Sequence, residues 1–169
     1  MTPLQTLKHA YIATASLSRR IVHGLVITCA LTAVAAPSLA TEPMRRLPPK
    51  IVGNDIGGLL SARIQEISQL ERSGRQVVIN GDYCISACTM YISLRNVCVY
   101  PKTVFGFHGP SKSGKELPAE KFEYWSARMA SFYPANLARW YMKTGRHARK
   151  NYYRIRGAEL IRQGVPACS

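Results

Sequence analysis

One boundary limits what this chain can fold into. Residues 1–40 carry Lys8, Arg19 and Arg20 and no acid, then an apolar run over residues 21–36, then Pro37-Ser38-Leu39-Ala40. A basic start, an apolar middle and small residues three and one places before a cut form the pattern of a secretory signal peptide, with cleavage expected near Ala40. The run also contains His23 and Gly24 and is shorter than the roughly 20 residues that a membrane span requires. The expectation is therefore a signal peptide over residues 1–40 and a mature protein that is periplasmic or secreted. What is left to fold is residues 41–169, enough for one domain. That part holds 20 Lys and Arg against 9 Asp and Glu, a net charge of +11, and four cysteines: Cys84, Cys88, Cys98 and Cys168.

Four cysteines delivered to an oxidising compartment predict two disulfides. They permit three pairings, and spacing does not choose among them; the pairing taken forward is Cys88 with Cys98, which leaves Cys84 for Cys168. Cys84 and Cys88 have a spacing that would also suit a metal on a helix. No pair shows the C-x-x-C spacing of a zinc site, however, and export favours disulfides, so neither a metal nor a cofactor is called for. The one-signed charge attracts polyanions. Outside the inner membrane these are anionic lipid and glycan, which sets nucleic acid aside. Apolar residues make up 47% of the chain, enough for a core, so wholesale disorder is excluded.

Along the mature chain, residues 41–50 are rich in Pro and Arg and read as an extended basic arm. Ile51 and Val52 suggest a short strand. Leu60, Ile64, Ile67 and Leu70 recur at helical spacing, predicting a helix over 59–72 that ends at Ser73-Gly74. Residues 76–80 read as a buried strand, 81–86 as a turn and 87–94 as a helix. Strands are expected over 97–100 and 104–108, a polar loop over 109–114, and helices over 118–131, 135–143 and near 158–163. This alternation predicts an α/β domain over residues 51–169. Between Arg139 and Arg156 seven Lys and Arg interleave with four aromatics in a stretch without an acid. It reads as either a solvated helix face with inward-packed rings or a surface for anionic lipid or glycan.

The candidate chemistry lies in one order of residues. Gly57-Gly58 opens a helix, a strand follows, Ser86 sits on the turn from that strand into the next helix, and His108 ends another strand. A serine held at such a turn presents its oxygen near a helix N-terminus, where N–H groups favour an oxyanion. Ala87 N–H and a glycine N–H are the natural donors, and His108 the natural base. The plain alternatives are a helix-capping Ser86, a structural His108 and an ordinary Gly-Gly turn.

Asn54-Asp55-Ile56-Gly57-Gly58, Cys84-Ile85-Ser86-Ala87-Cys88-Thr89 and Val104-Phe105-Gly106-Phe107-His108-Gly109-Pro110, in this order and spacing, resemble the loop, nucleophile turn and histidine strand of Clp-type serine peptidases in the crotonase superfamily. The C-x-S-A-C-T run is similar to that of exported, bacterial Clp-peptidase-like proteins. The resemblance covers about residues 51–109, with a fainter echo over 137–164. It implies a crotonase/Clp-like core of repeated ββα units, here trimmed at its N-terminus and stapled by disulfides. It further implies a Ser86 nucleophile, a His108 general base, an oxyanion hole of Gly58 and Ala87, peptide or acyl substrates, and a homo-oligomer. The family's third residue is an Asp. Here the matching stretch, residues 146–156, holds no acid, and Asn151 is the candidate to orient the imidazole. The expected function is thus an exported serine hydrolase, weak or inactive for want of that acid. The competing class is a non-catalytic envelope-binding module with a basic face.

Overall fold

The structure, a computed structural model, describes residues 47–169. The expected signal peptide, the cut near Ala40 and most of the basic arm lie outside the described residues. No helix among the described residues is long and apolar enough to cross a membrane.

The domain is mixed α/β. Strand β1 (Lys50–Val52) is followed by α1 (Leu60–Ser73), β2 (Val77–Ile79), β3 (Tyr83–Ile85), a 3-10 helix (Ser86–Ser93), β4 (Val97–Val99) and β5 (Val104–Phe107). A two-stranded hairpin, β6 (Ser111–Lys112) and β7 (Lys115–Glu116), leads to α2 (Ala119–Ala130), α3 (Ala135–Lys143), a short 3-10 turn (Gly145–His147), β8 (Tyr153–Arg156) and α4 (Gly157–Arg162). Two three-stranded sheets result. One has the order β1-β2-β4, all parallel; the other has β3-β5-β8, with β3 and β5 parallel and β8 antiparallel.

The two sheets are joined by the chain itself. After β1 the backbone reaches Asp55, which bridges Cys84 of β3; β2 runs on into β3, and β4 into β5. Three passes therefore visit both sheets in the same lateral order. They turn from one sheet to the other where Gly81 N–H donates to the Val52 carbonyl at 3.3 Å. A side chain on Gly81 would lie 2.3 Å from the Gly53 backbone, so neighbouring passes meet closely only because this position is glycine.

Burial follows the apolar spacing. Ile67 and Leu70 of α1, Val77, Ile79, Val97 and Val99 of the first sheet, Phe105 and Phe107 of β5, and Met129, Tyr133, Leu137, Tyr141 and Leu160 of the helical segments form one buried cluster. α1 ends at Gly74, at φ 61°, which donates to the Glu71 carbonyl. The helix expected over 87–94 is a 3-10 helix over Ser86–Ser93, buried from Ala87 to Ile92. Thr89 Oγ1 donates to the Ser86 carbonyl at 2.7 Å and Ser93 Oγ to that of Met90 at 2.9 Å. These side-chain bonds three residues back favour the tighter winding.

Two disulfides are present, with a different pairing from the one expected. Cys84 bonds Cys88, and Cys98 bonds Cys168. Cys98 lies in β4 beside the tail: Val99 bridges Ala167, and Cys168 N–H donates to the Val99 carbonyl at 3.1 Å. Cys88 sits in the first turn after Ser86, where the chain has doubled back onto Cys84, with Cα atoms 5.3 Å apart.

Candidate active site

Ser86 marks the junction of β3 and the 3-10 helix. Ile85 before it is still extended, at φ −116° and ψ 151°. Ser86 itself is at φ 60°, in the left-handed region that a residue with a Cβ rarely adopts. The reversal of the chain therefore falls on this single residue, with the Cys84–Cys88 disulfide straddling it.

The glycine loop lies directly against it. Gly57 has φ 103°, and a Cβ there would stand 2.6 Å from Ser86 Cβ and 3.0 Å from Ala87 N. Only glycine permits that approach. Gly57 N–H donates to Asp55 Oδ1 at 2.7 Å and is thereby consumed. Gly58 N–H has no backbone acceptor among the described residues, and neither has Ala87 N–H, which lies in the first helical turn. Both amides that the sequence singles out are thus unspent: Ala87 follows Ser86 directly, and Gly58 follows the glycine packed on Ser86.

The loop is held from behind by charge. Arg63 Nη2 donates to Asp55 Oδ2 at 2.7 Å and to the Gly57 carbonyl at 3.3 Å. Its guanidinium also bonds the Tyr91 hydroxyl and lies 4.3 Å from the Tyr91 ring centroid. Tyr91 donates to Glu66 Oε2 at 2.6 Å, and Lys50 pairs with Glu66 Oε1 at 2.7 Å. Burial raises the Tyr91 pKa, and the bond to Glu66 raises it further, so the phenol stays protonated. For Glu66 burial works against ionisation, but hydrogen bonds from Lys50 and Tyr91 and the charges of Lys50 and Arg63 outweigh it and lower its pKa. Sequence reasoning missed this Asp55–Arg63–Tyr91–Glu66 network. Its one trace is a run of polar residues, Asp55, Arg63 and Glu66, next to the apolar helix stripe.

His108 follows β5 immediately. β3 and β5 are paired with Ile85 opposite Gly106, so Ser86 and His108 leave the same, C-terminal, end of adjacent parallel strands. That end is where open parallel sheets place ligands. His108 Nδ1 lies 2.7 Å from the Gly109 carbonyl oxygen. A carbonyl can only accept, so Nδ1 is the donor in this contact, which leaves Nε2 as the acceptor nitrogen of a neutral ring. The His108 backbone is tied down in turn by Tyr141, whose hydroxyl donates to the His108 carbonyl at 3.0 Å. Ser86 Oγ and the ring do not bond each other directly. Asn151 stands two residues before Tyr153, the partner of Phe107, and so at the same end of the sheet. It is exposed and forms no hydrogen bond to the imidazole. The orienting group is the Gly109 carbonyl, for which no sequence signal exists.

No family model matches the chain, and no curated protein matches it. The site is therefore characterised by its own geometry: a serine at positive φ, two unspent amides, a half-buried cation behind the loop and an imidazole whose Nδ1 is taken by the Gly109 carbonyl. Among the described residues no three His, Cys, Asp or Glu side chains gather as metal ligands.

Proposed function

We propose that the chain is an exported serine-hydrolase-like protein of crotonase/Clp character, acting on peptide or acyl substrates through Ser86. The observation that carries this reading is Ser86 at φ 60° on a strand-to-helix turn, packed against Gly57 of the glycine pair and followed by Ala87, whose N–H has no backbone acceptor among the described residues. Three passes threading two sheets in one order support the ββα architecture that the sequence resemblance implies. Two disulfides are compatible with an exported protein.

In this reading Nε2 of His108 takes the Ser86 proton as Oγ attacks the substrate carbonyl carbon. The oxyanion that forms accepts from Gly58 and Ala87 N–H. The imidazolium then gives its proton to the leaving group, and water, activated by the same ring, releases the acyl group from Ser86. A neutral carbonyl on Nδ1 steadies the imidazolium less than a carboxylate does. Replacing a triad Asp by Asn lowers turnover about 10⁴-fold elsewhere, so a slow enzyme is expected.

A second reading is a binding module for anionic lipid or glycan. It is favoured by β8, an exposed edge strand whose Arg154 and Arg156 form no ion pair among the described residues, beside Tyr153, whose ring meets Trp140 of α3 at 5.6 Å. Fluorophosphonate labelling decides between them. Labelling of the oxidised protein that disappears in Ser86→Ala and His108→Ala supports the hydrolase. Absence of labelling in folded, oxidised protein that binds anionic vesicles in a salt-sensitive way supports the module.

A further inference from the structure

We propose that the Cys84–Cys88 disulfide is a positioning element for Ser86, and that it makes the site competent only after export. The chemical half of this proposal rests on the hydrolase reading; the positional half does not. Four extended residues span about 13 Å, yet Cys84 and Cys88 have Cα atoms 5.3 Å apart. Ile85 keeps extended backbone, so closing that distance requires the reversal at Ser86. Both bridge ends are anchored. Cys84 pairs with Phe105 in the sheet and bridges Asp55, and Cys88 is fully buried in the helix. The bridge thus closes a short covalent ring around Ser86, which is held at positive φ. With free thiols the segment relaxes toward the negative φ that serine prefers, and Oγ shifts relative to the glycine loop. Gly57, packed on Ser86 Cβ, moves with it.

The bond forms by thiol–disulfide exchange. The two thiols lose two protons and two electrons to the disulfide of an external oxidant, which leaves as two thiols. A reducing cytoplasm keeps the pair as thiols, so a chain folding before export holds its serine out of register. Cys98–Cys168 stands apart from Ser86, between β4 and the tail, and serves as the control.

The test compares oxidised wild type with Cys84→Ala/Cys88→Ala, with Cys84→Val/Cys88→Ala as a second variant that refills the buried volume, and with Cys98→Ala/Cys168→Ala. Native folding is verified by near-UV circular dichroism. The sign of φ at Ser86 is read by NMR from the intraresidue amide-to-Hα contact, and the site by its rate of fluorophosphonate labelling. The expected result is positive φ in wild type and in the control, and negative φ with at least tenfold slower labelling in the Cys84/Cys88 variants. Retention of positive φ, or of the wild-type labelling rate, in a folded Cys84/Cys88 variant overturns the proposal. A wild type that shows positive φ but is never labelled overturns the hydrolase reading, and the φ comparison alone then decides the positioning role.

Discussion

Ser86 holds a backbone conformation that costs a residue with a side chain about 1–3 kcal/mol. Closing a loop as short as that between Cys84 and Cys88 contributes about 2 kcal/mol in the chain-entropy account, enough to offset it. Glycine tolerates positive φ, so Ser86→Gly is expected to be more stable than Ser86→Ala by about 1 kcal/mol, read by urea unfolding of the oxidised proteins. Asp55 tests the loop behind it. Asp55→Ala takes one of two carboxylates from Arg63, whose side chain is 11% exposed and keeps Glu66, and frees Gly57 N–H. A loss of about 2 kcal/mol is expected, with faster amide exchange at Gly57. Asp55→Asn keeps an acceptor for Gly57 N–H and is expected to preserve that protection; equal exchange in both variants would remove Asp55 as the anchor. At this scale the strand-to-helix turn at Ser86 and the strand that ends before His108 were legible, because order and spacing carry them. The Gly109 carbonyl was not, since every residue has one. Arg63 was not either, because its partner is reached only across the folded loop.

Among the elements, α3 lies where apolar spacing puts it, and α1, α2, β2, β4 and β5 differ from expectation by a residue or two at their ends. β3 was hidden: Tyr83–Ile85 lies in a run with Gly81 and Asp82 that reads as a turn, and it is a strand only because Phe105 and Asp55 pair with it. β8 was hidden in the basic aromatic tail, since a two-sided edge strand with exposed arginines shows no alternation of apolar residues. The hairpin Ser111–Glu116 begins inside the polar loop expected over 109–114 and, being exposed throughout, carries no apolar alternation to mark it. Disulfide pairing was illegible for the same reason as β3, because tertiary contacts bring Cys168 beside β4. That second bridge closes a loop of 70 residues, for which chain entropy gives about 4 kcal/mol. Cys98→Ala/Cys168→Ala is accordingly expected to lower unfolding free energy by roughly 2–4 kcal/mol and to fray the C-terminal tail first, measured by denaturant titration and amide exchange.

For the whole molecule, Glu66 links β1, α1 and the 3-10 helix through Lys50, Arg63 and Tyr91. Its pKa is lowered in the folded state, so the stability it contributes is complete above its ordinary value of 4.5 and is lost as pH falls below that, through the folded value. Acid titration of unfolding free energy is expected to be shallower below pH 4.5 in Glu66→Gln; an unchanged slope would show that the network is neutral to folding. The long bridge has a further consequence at this scale. The exposed hairpin offers Lys112 and Lys115 to a protease, and both lie between Cys98 and Cys168. A single cut there leaves two pieces that remain one molecule: the strand ends bearing Ser86 and His108 stay on the first piece, and the second hangs from it by Cys168. Such a clipped protein would run intact on a gel until reductant is added, and would survive as an assembled unit where nicked chains without the bridge fall apart.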